Sequence, residues 1–234
     1  MFDGIVTTTA DTLGADTLTD RTAEAATVAT GPAPAADTSR PALDGTWTVA
    51  PPESTFGYRV EEVLSGINTT ATGRGNEIAG SITLSGTSIR EGMFVIQVTS
   101  ITSDQSNRDN QFRGRVMETE RFPTATFTLT EPIELGGVPA PGEQITAEVT
   151  GELTLHGVTN AVTFDVTAET DGDTIGVLGD IPILFSDYDI DNPSNNIVTT
   201  EDNGLLEFIL VFVPSETSTA IVNSEAAEPT ESVR

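Results

Sequence analysis

The chain has 234 residues, with 36 Asp and Glu against 10 Lys and Arg, a formal net charge of −26 and no cysteine. Such a field repels phosphate backbones and anionic membrane surfaces, which argues against nucleic acid as a partner. The missing thiols exclude disulfides, thiolate catalysis and thiolate metal sites, and no window reaches the roughly 18 apolar residues that a membrane-spanning helix needs.

Residues 1–44 hold 10 Ala, 10 Thr and three Pro but few large apolar side chains. They cannot bury enough surface to offset ordering entropy and read as a disordered leader or linker. The N-terminus has neither a basic start nor an apolar core of the signal-peptide kind, so no export signal is expected in the sequence as it stands.

From residue 45 the dominant signal is period two, which puts alternate side chains on opposite faces of a strand. Phe56, Tyr58 and Val60 alternate with Gly57, Arg59 and Glu61, and Ile78, Gly80, Ile82 and Leu84 with Ala79, Ser81 and Thr83. Residues 93–101 are apolar enough to be buried on both faces. The rhythm breaks over 103–122, where polar residues predict a short helix near 107–116, started by the capping-type Ser106 and Asn107. Ala125, Phe127 and Leu129 resume the alternation. The cleanest strand follows, with Ile145, Ala147, Val149, Gly151, Leu153 and Leu155 on one face and Thr146, Glu148, Thr150, Glu152 and Thr154 on the other. Val162, Phe164 and Val166 continue the pattern, then Ile175 through Phe185, then Leu206, Phe208, Leu210 and Phe212. Turn residues at 73–76, 86–92, 136–142 and 171–173 predict hairpin connections. Residues 215–234 read as a disordered acidic tail.

The sequence therefore predicts one folded all-β domain over 45–214, carrying 25 acids and seven arginines. Eight or nine strands joined by short turns form an antiparallel sheet with one apolar face, which must close into a barrel or pack as a sandwich. Small residues on the inward faces, Gly80, Ala125, Ala147, Gly151 and Gly179, favour a cavity. Alternation alone leaves filled and hollow barrels both open.

Residues that carry chemistry are sparse. The one histidine, His156, sits in LHGVT before Gly157 and reads as a turn residue, because a lone imidazole lacks partners for catalysis or metal binding. The pair Glu61 and Glu62 reads as a solvated face in so acidic a chain. Asp187, Asp189 and Asp191 offer oxygen atoms at alternate positions, but Asn192 and Val198 stand where a calcium loop needs glycine and glutamate. No cofactor, metal site or catalytic residue is assigned, and the chain reads as a non-enzyme.

Five segments in this order resemble the YceI-like family: GTWTVAPPESTFGYRV, ITSDQSNRDNQF, ERFPTATFTLT, GELTLHGVTNAVTF and a closing DYDI with a final apolar strand. The resemblance spans 45–214 and implies a lipocalin-like antiparallel eight-stranded β-barrel with a short helical insertion. It also implies that a polyisoprenoid or other long-chain apolar lipid is held inside, with an extracytoplasmic location, periplasmic or cell-surface. By that analogy Phe56, Tyr58, Ile82, Phe94, Ile96, Phe127, Phe164, Ile183, Phe208, Leu210 and Phe212 line the binding tunnel. Arg108, Asp109, Phe122 and Pro123 match positions that shape the insertion. Family members usually carry histidine before Ser54, where this chain has Glu53. An anionic head group would then need Arg59, Arg108, Arg113 or Arg115 to turn inward, and a neutral head such as a quinone is the alternative. The competing functional class is an interaction module with a filled core and an acidic partner-binding surface.

Overall fold

The computed structural model describes residues 43–215. The leader expected over 1–44 and the tail expected over 215–234 lie outside the described residues except for positions 43, 44 and 215. Leu43 is buried and its carbonyl accepts a hydrogen bond from the Trp47 indole at 2.9 Å.

Thirteen strand segments are present among the described residues. They are β1 (Gly45–Val49), β2 (Thr55–Leu64), β3 (Ile67–Gly75), β4 (Ile78–Ser85), β5 (Ser88–Gln97), β6 (Thr102–Ser103), β7 (Thr124–Leu129), β8 (Ile133–Glu134), β9 (Gln144–Leu155), β10 (Val158–Thr170), β11 (Ile175–Leu184), β12 (Val198–Thr200) and β13 (Asn203–Pro214). All pairings are antiparallel, and the order β1-β4-β5-β7-β9-β10-β11-β13 closes on itself through β1–β13. This is an eight-stranded closed barrel, so the sheet buries its apolar face on itself and the barrel strands have few exposed edges.

The segment count exceeds eight because three barrel strands are bent and two short strands, β8 and β12, pair beside β5 and β2. β1 and β2 run along one neighbour, β13: Val49 pairs with Phe212 and Thr55 with Ile209. The bend between them is a 3₁₀ turn, Pro51–Glu53, and it is pinned by Ser54. The Ser54 hydroxyl donates to the Ala50 carbonyl at 2.9 Å and accepts from the Val211 amide at 3.0 Å, filling the gap that the kink leaves in the ladder. β3 continues into β4 in the same way, and β5 into β6. Beyond the bends, β2, β3 and β6 continue the wall, β2 pairing with β13 over Thr55–Arg59, and the far ends of β2 and β3 form a rim past that pairing.

This corrects the hairpin expected at 73–76. Gly73 and Gly75 lie inside β3, opposite Tyr58 and Phe56, and a Cβ on Gly73 would stand 2.4 Å from the Tyr58 ring. The chain reverses instead at Ser65 and Gly66, whose φ angles of 52° and 85° are those of a tight two-residue hairpin. The segment 93–101 is also not buried on both faces, because Met93 points outward at 56 % exposure. A bulge lies just upstream, where the register between β4 and β5 shifts at Thr83 and Leu84.

The expected helical segment is present but not α-helical throughout. Ser106–Gln111 forms one α-helical segment, α1, and Phe112–Val116 continues as a wider turn of the π type. Ser106 is the first helical residue rather than its cap, and no side chain caps the helix. Asp109 does the anchoring, accepting from the Ser103 amide and hydroxyl, each at 2.7 Å. The segment packs on β2, where Phe112 stacks on Tyr58 with ring centroids 5.0 Å apart.

Candidate functional site

The barrel is hollow. A cavity of about 450 Å³ runs inside it, within the range of about 300–1,000 Å³ usual for small-molecule sites. Its wall reaches from Gly204 to Phe212 along β13, roughly 27 Å at about 3.4 Å per residue, so the space is long as well as apolar. All eleven residues expected from alternation, Phe56, Tyr58, Ile82, Phe94, Ile96, Phe127, Phe164, Ile183, Phe208, Leu210 and Phe212, line it. They come together because the period-two faces of β2, β4, β5, β7, β10, β11 and β13 all turn to the barrel axis.

Five phenylalanines form a continuous belt around the wall. Phe212 meets Phe94 edge-on at 5.9 Å, Phe94 meets Phe127 at 6.3 Å, Phe127 meets Phe164 edge-on at 5.5 Å, and Phe164 meets Phe208 edge-on at 6.1 Å. Edge-to-face contacts of this kind hold the rings in place beyond what burial supplies.

Of the small inward residues expected to favour a cavity, Ala125 and Ala147 line it, but the three glycines do not make the space. A Cβ on Gly80 would stand 2.4 Å from Phe94, one on Gly151 2.3 Å from Phe127 and one on Gly179 2.8 Å from Phe208. Each glycine is covered by a belt ring on a neighbouring strand. The vacancy is taken up by aromatic carbon, and the void lies in front of the rings.

One end of the cavity opens. Its exposed lining residues, Leu64, Gln105, Asn107, Gln111 and Asn195, belong to the rim, to α1 and the residue before it, and to the loop before β12. The half-buried Glu62 and Arg108 line the same mouth. Glu62 is on the inward face of β2, continuing the series Phe56, Tyr58, Val60, so alternation carries a signal for it that the solvated-face reading misses. Arg108 bonds Glu62 at 3.4 Å and pairs also with Asp104. Burial pushes the Tyr58 hydroxyl above its ordinary pKa. The Arg108 charge opposes this, while Asp109, Glu62 and Asp104 add to it. Tyr58 therefore stays a neutral hydrogen-bonding group beside a compensated ion pair. For Asp109, desolvation pushes upward, but the Ser103 hydrogen bonds and the Arg113 and Arg108 charges prevail and hold the carboxyl below its usual range.

Of the four arginines considered as inward partners, only Arg108 lines the cavity. Arg59 pairs with Glu207, Arg113 donates to the Thr99 and Ile101 carbonyls, and Arg115 donates to the Pro193 carbonyl. Glu53 is exposed at the β1–β2 bend and takes no part in the cavity wall.

His156 stands in the β9–β10 turn, with φ angles of 52° at His156 and 80° at Gly157. It is buried there, its Nδ1 within 3.0 Å of the Tyr188 carbonyl and its ring edge-on to Phe122. Phe122 thus holds the turn rather than the cavity. Asp189 ends the 3₁₀ turn Phe185–Tyr188 in a left-handed conformation. Among the described residues no group of three or more acidic or histidine side chains is placed to hold a metal ion.

Residues 47–212 match the YceI-like domain family. A UPF0312 protein of Vibrio parahaemolyticus is 31 % identical over 127 residues, which cover 50 % of this chain and 64 % of that protein. A polyisoprenoid binding domain from Saccharophagus degradans, implicated in plant cell wall breakdown, superposes with a TM-score of 0.59 at 21 % identity, covering 72 % of this chain and 98 % of that one. BcnA of Burkholderia cenocepacia superposes with a TM-score of 0.53 at 24 % identity, covering 70 % and 98 %. At these identities the superpositions speak for a shared fold.

Proposed function

Since this chain belongs to the YceI-like domain family, we propose that it binds a long apolar lipid, a polyisoprenoid or isoprenoid quinone, inside its barrel and carries or sequesters it without chemical change. The observation that carries this reading is the 450 Å³ cavity, which is apolar along its length and polar only at one end. Burying hydrocarbon there yields about 25 cal/mol per Å² removed from water, so a long tail supplies the affinity. The belt from Phe94 to Phe212 grips the chain, and the mouth orients the head. The Saccharophagus degradans domain is named for polyisoprenoid binding, which supports the same cargo class.

The mouth favours a neutral head group. Its one cation, Arg108, already faces Glu62 and Asp104, and the domain around it is strongly acidic. Tyr58, Gln105, Asn107 and Gln111 offer hydrogen bonds to carbonyl or hydroxyl oxygens without needing charge. No nucleophile, base and orienting group stand together in the cavity, which supports a binding role over catalysis. The family resemblance supports an extracytoplasmic location.

The test is to extract the purified full-length chain with organic solvent and identify co-purifying species by mass spectrometry. A prenyl or acyl lipid in stoichiometric amount is the expected result. If nothing is extracted, and the emptied protein also fails to take up an added prenyl quinone, lipid carriage is refuted.

A further inference from the structure

Among the described residues, one tip of this acidic molecule is built from two segments without charge, with Glu61 and Glu62 lying at its base. Residues 63–73, which include the β2–β3 turn, and residues 192–200, which lead into and form β12, contain no ionisable side chain, in a chain where 20 % of residues are charged. The two segments are joined: Val198 pairs with Leu64, and the Ser65 amide donates to the Ile197 carbonyl at 3.0 Å. Three large aliphatic side chains project from them into solvent, with Ile67 at 71 %, Ile197 at 63 % and Leu64 at 44 % exposure. Leu64 and Val198 also line the cavity, so the tip adjoins its mouth, beside the Glu62–Arg108 pair.

We propose that this charge-free tip docks the protein on an electrically neutral lipid surface, with Ile67, Ile197 and Leu64 entering the headgroup region and the cavity mouth facing the bilayer. Charge and a satisfied backbone both favour this occupant. Any other approach brings a field of negative charge towards lipid phosphates, whereas the tip presents only aliphatic groups, Ser, Thr and Asn. At the tip β2 is hydrogen-bonded on both sides, to β3 and to β12, so shallow insertion at the headgroup level leaves only the outer edge of β3 to be solvated there. A protein partner fits less well, because the tip lacks the aromatic and arginine anchors on which protein interfaces depend. The biological purpose of docking rests on the lipid-carriage reading, since a cargo that enters from a bilayer need not cross water. Docking itself does not, and is measured separately.

The experiment is flotation of the full-length chain with phosphatidylcholine vesicles, compared with the double variant Ile67→Ser/Ile197→Ser. Neither residue lines the cavity, and both are exposed enough to leave folding intact, which thermal unfolding checks. Leu178→Ser/Ile209→Ser, on the outer barrel wall, is the control. The native chain and the control are expected to float, the tip variant to lose about tenfold in partitioning, and phosphatidylglycerol in the vesicles to weaken binding at low salt. Lipid extraction from the tip variant is expected to be unchanged, which separates this proposal from carriage. If the native chain stays at the bottom of the gradient, or the tip variant floats as well as the native chain, the proposal is overturned. It is overturned equally if the tip variant only abolishes self-association or capture of a protein.

Discussion

The ring of Phe127 fills the place of the side chain that Gly151 lacks: a Cβ on Gly151 would fall 2.3 Å from Phe127 Cζ and 2.5 Å from the Thr128 carbonyl oxygen. The glycine is thus a seat for the aromatic belt. Gly151→Val is expected to lower stability by about 1–3 kcal/mol by displacing the ring. Urea denaturation checks it. Phe127→Leu combined with Gly151→Ala is expected to recover part of the loss suffered by Gly151→Ala alone, because the two positions are in contact and their effects are not additive.

Ala147 behaves differently, although it shares the inward face of β9. It lines the open cavity. Ala147→Leu is expected to cost less than about 1 kcal/mol, since the added carbon enters empty space. The same change narrows the channel and is expected to weaken uptake of a prenyl quinone several-fold, which a fluorescence titration of the emptied protein reads.

At the mouth, Glu62 quenches Arg108. Glu62→Gln leaves the guanidinium with only Asp104, an exposed partner. Affinity for an anionic amphiphile such as a prenyl phosphate is expected to rise by about threefold to tenfold, with that for a neutral quinone unchanged. Competition binding with the two ligands distinguishes these outcomes.

Asp109 ties α1 to Ser103, and its folded carboxyl titrates below its unfolded value of 3.8. Its contribution is therefore fully present above the ordinary aspartate range and is lost as pH falls through the lowered value. Asp109→Asn is expected to cost about 1 kcal/mol at pH 6, allowing for partial solvent screening. The difference from the native chain should shrink towards pH 3, as followed by denaturant midpoints at the two pH values.

Alternation located the inward faces, because in a closed sheet every inward face meets the same axis, but only the family resemblance made them the wall of a tunnel rather than of a filled core. Phe208 and Phe212 are inward for the reason that Leu206 and Leu210 are. Alternation did not locate the bends. Whether β2 continues β1 along β13 depends on the hydrogen bond that the Ser54 hydroxyl accepts from the Val211 amide, and nothing in APPES separates such a kink from a loop. Gly73 has the look of a turn residue because glycine tolerates turns, yet its role is to let Tyr58 approach. The same ambiguity attends Gly80, Gly151 and Gly179, since a missing side chain on an inward face signals either void or a neighbour's ring. Glu62 is legible by its step of two from Val60 but is masked among so many other acids. Its partner Arg108 comes from a distant segment, and that pairing has no sequence signature.

The kink at Ser54 divides labour within one strand. Below it the polypeptide closes the cylinder between β4 and β13, and above it the same polypeptide adds Phe56 and Tyr58 to the wall before running on to build the lip. Because that hydroxyl fixes the crossing point to Val211, the lip can lengthen, shorten or change its side chains while the vessel beneath stays sealed. Variation among relatives, and engineering for new cargo, can therefore concentrate at the opening without reworking the walls.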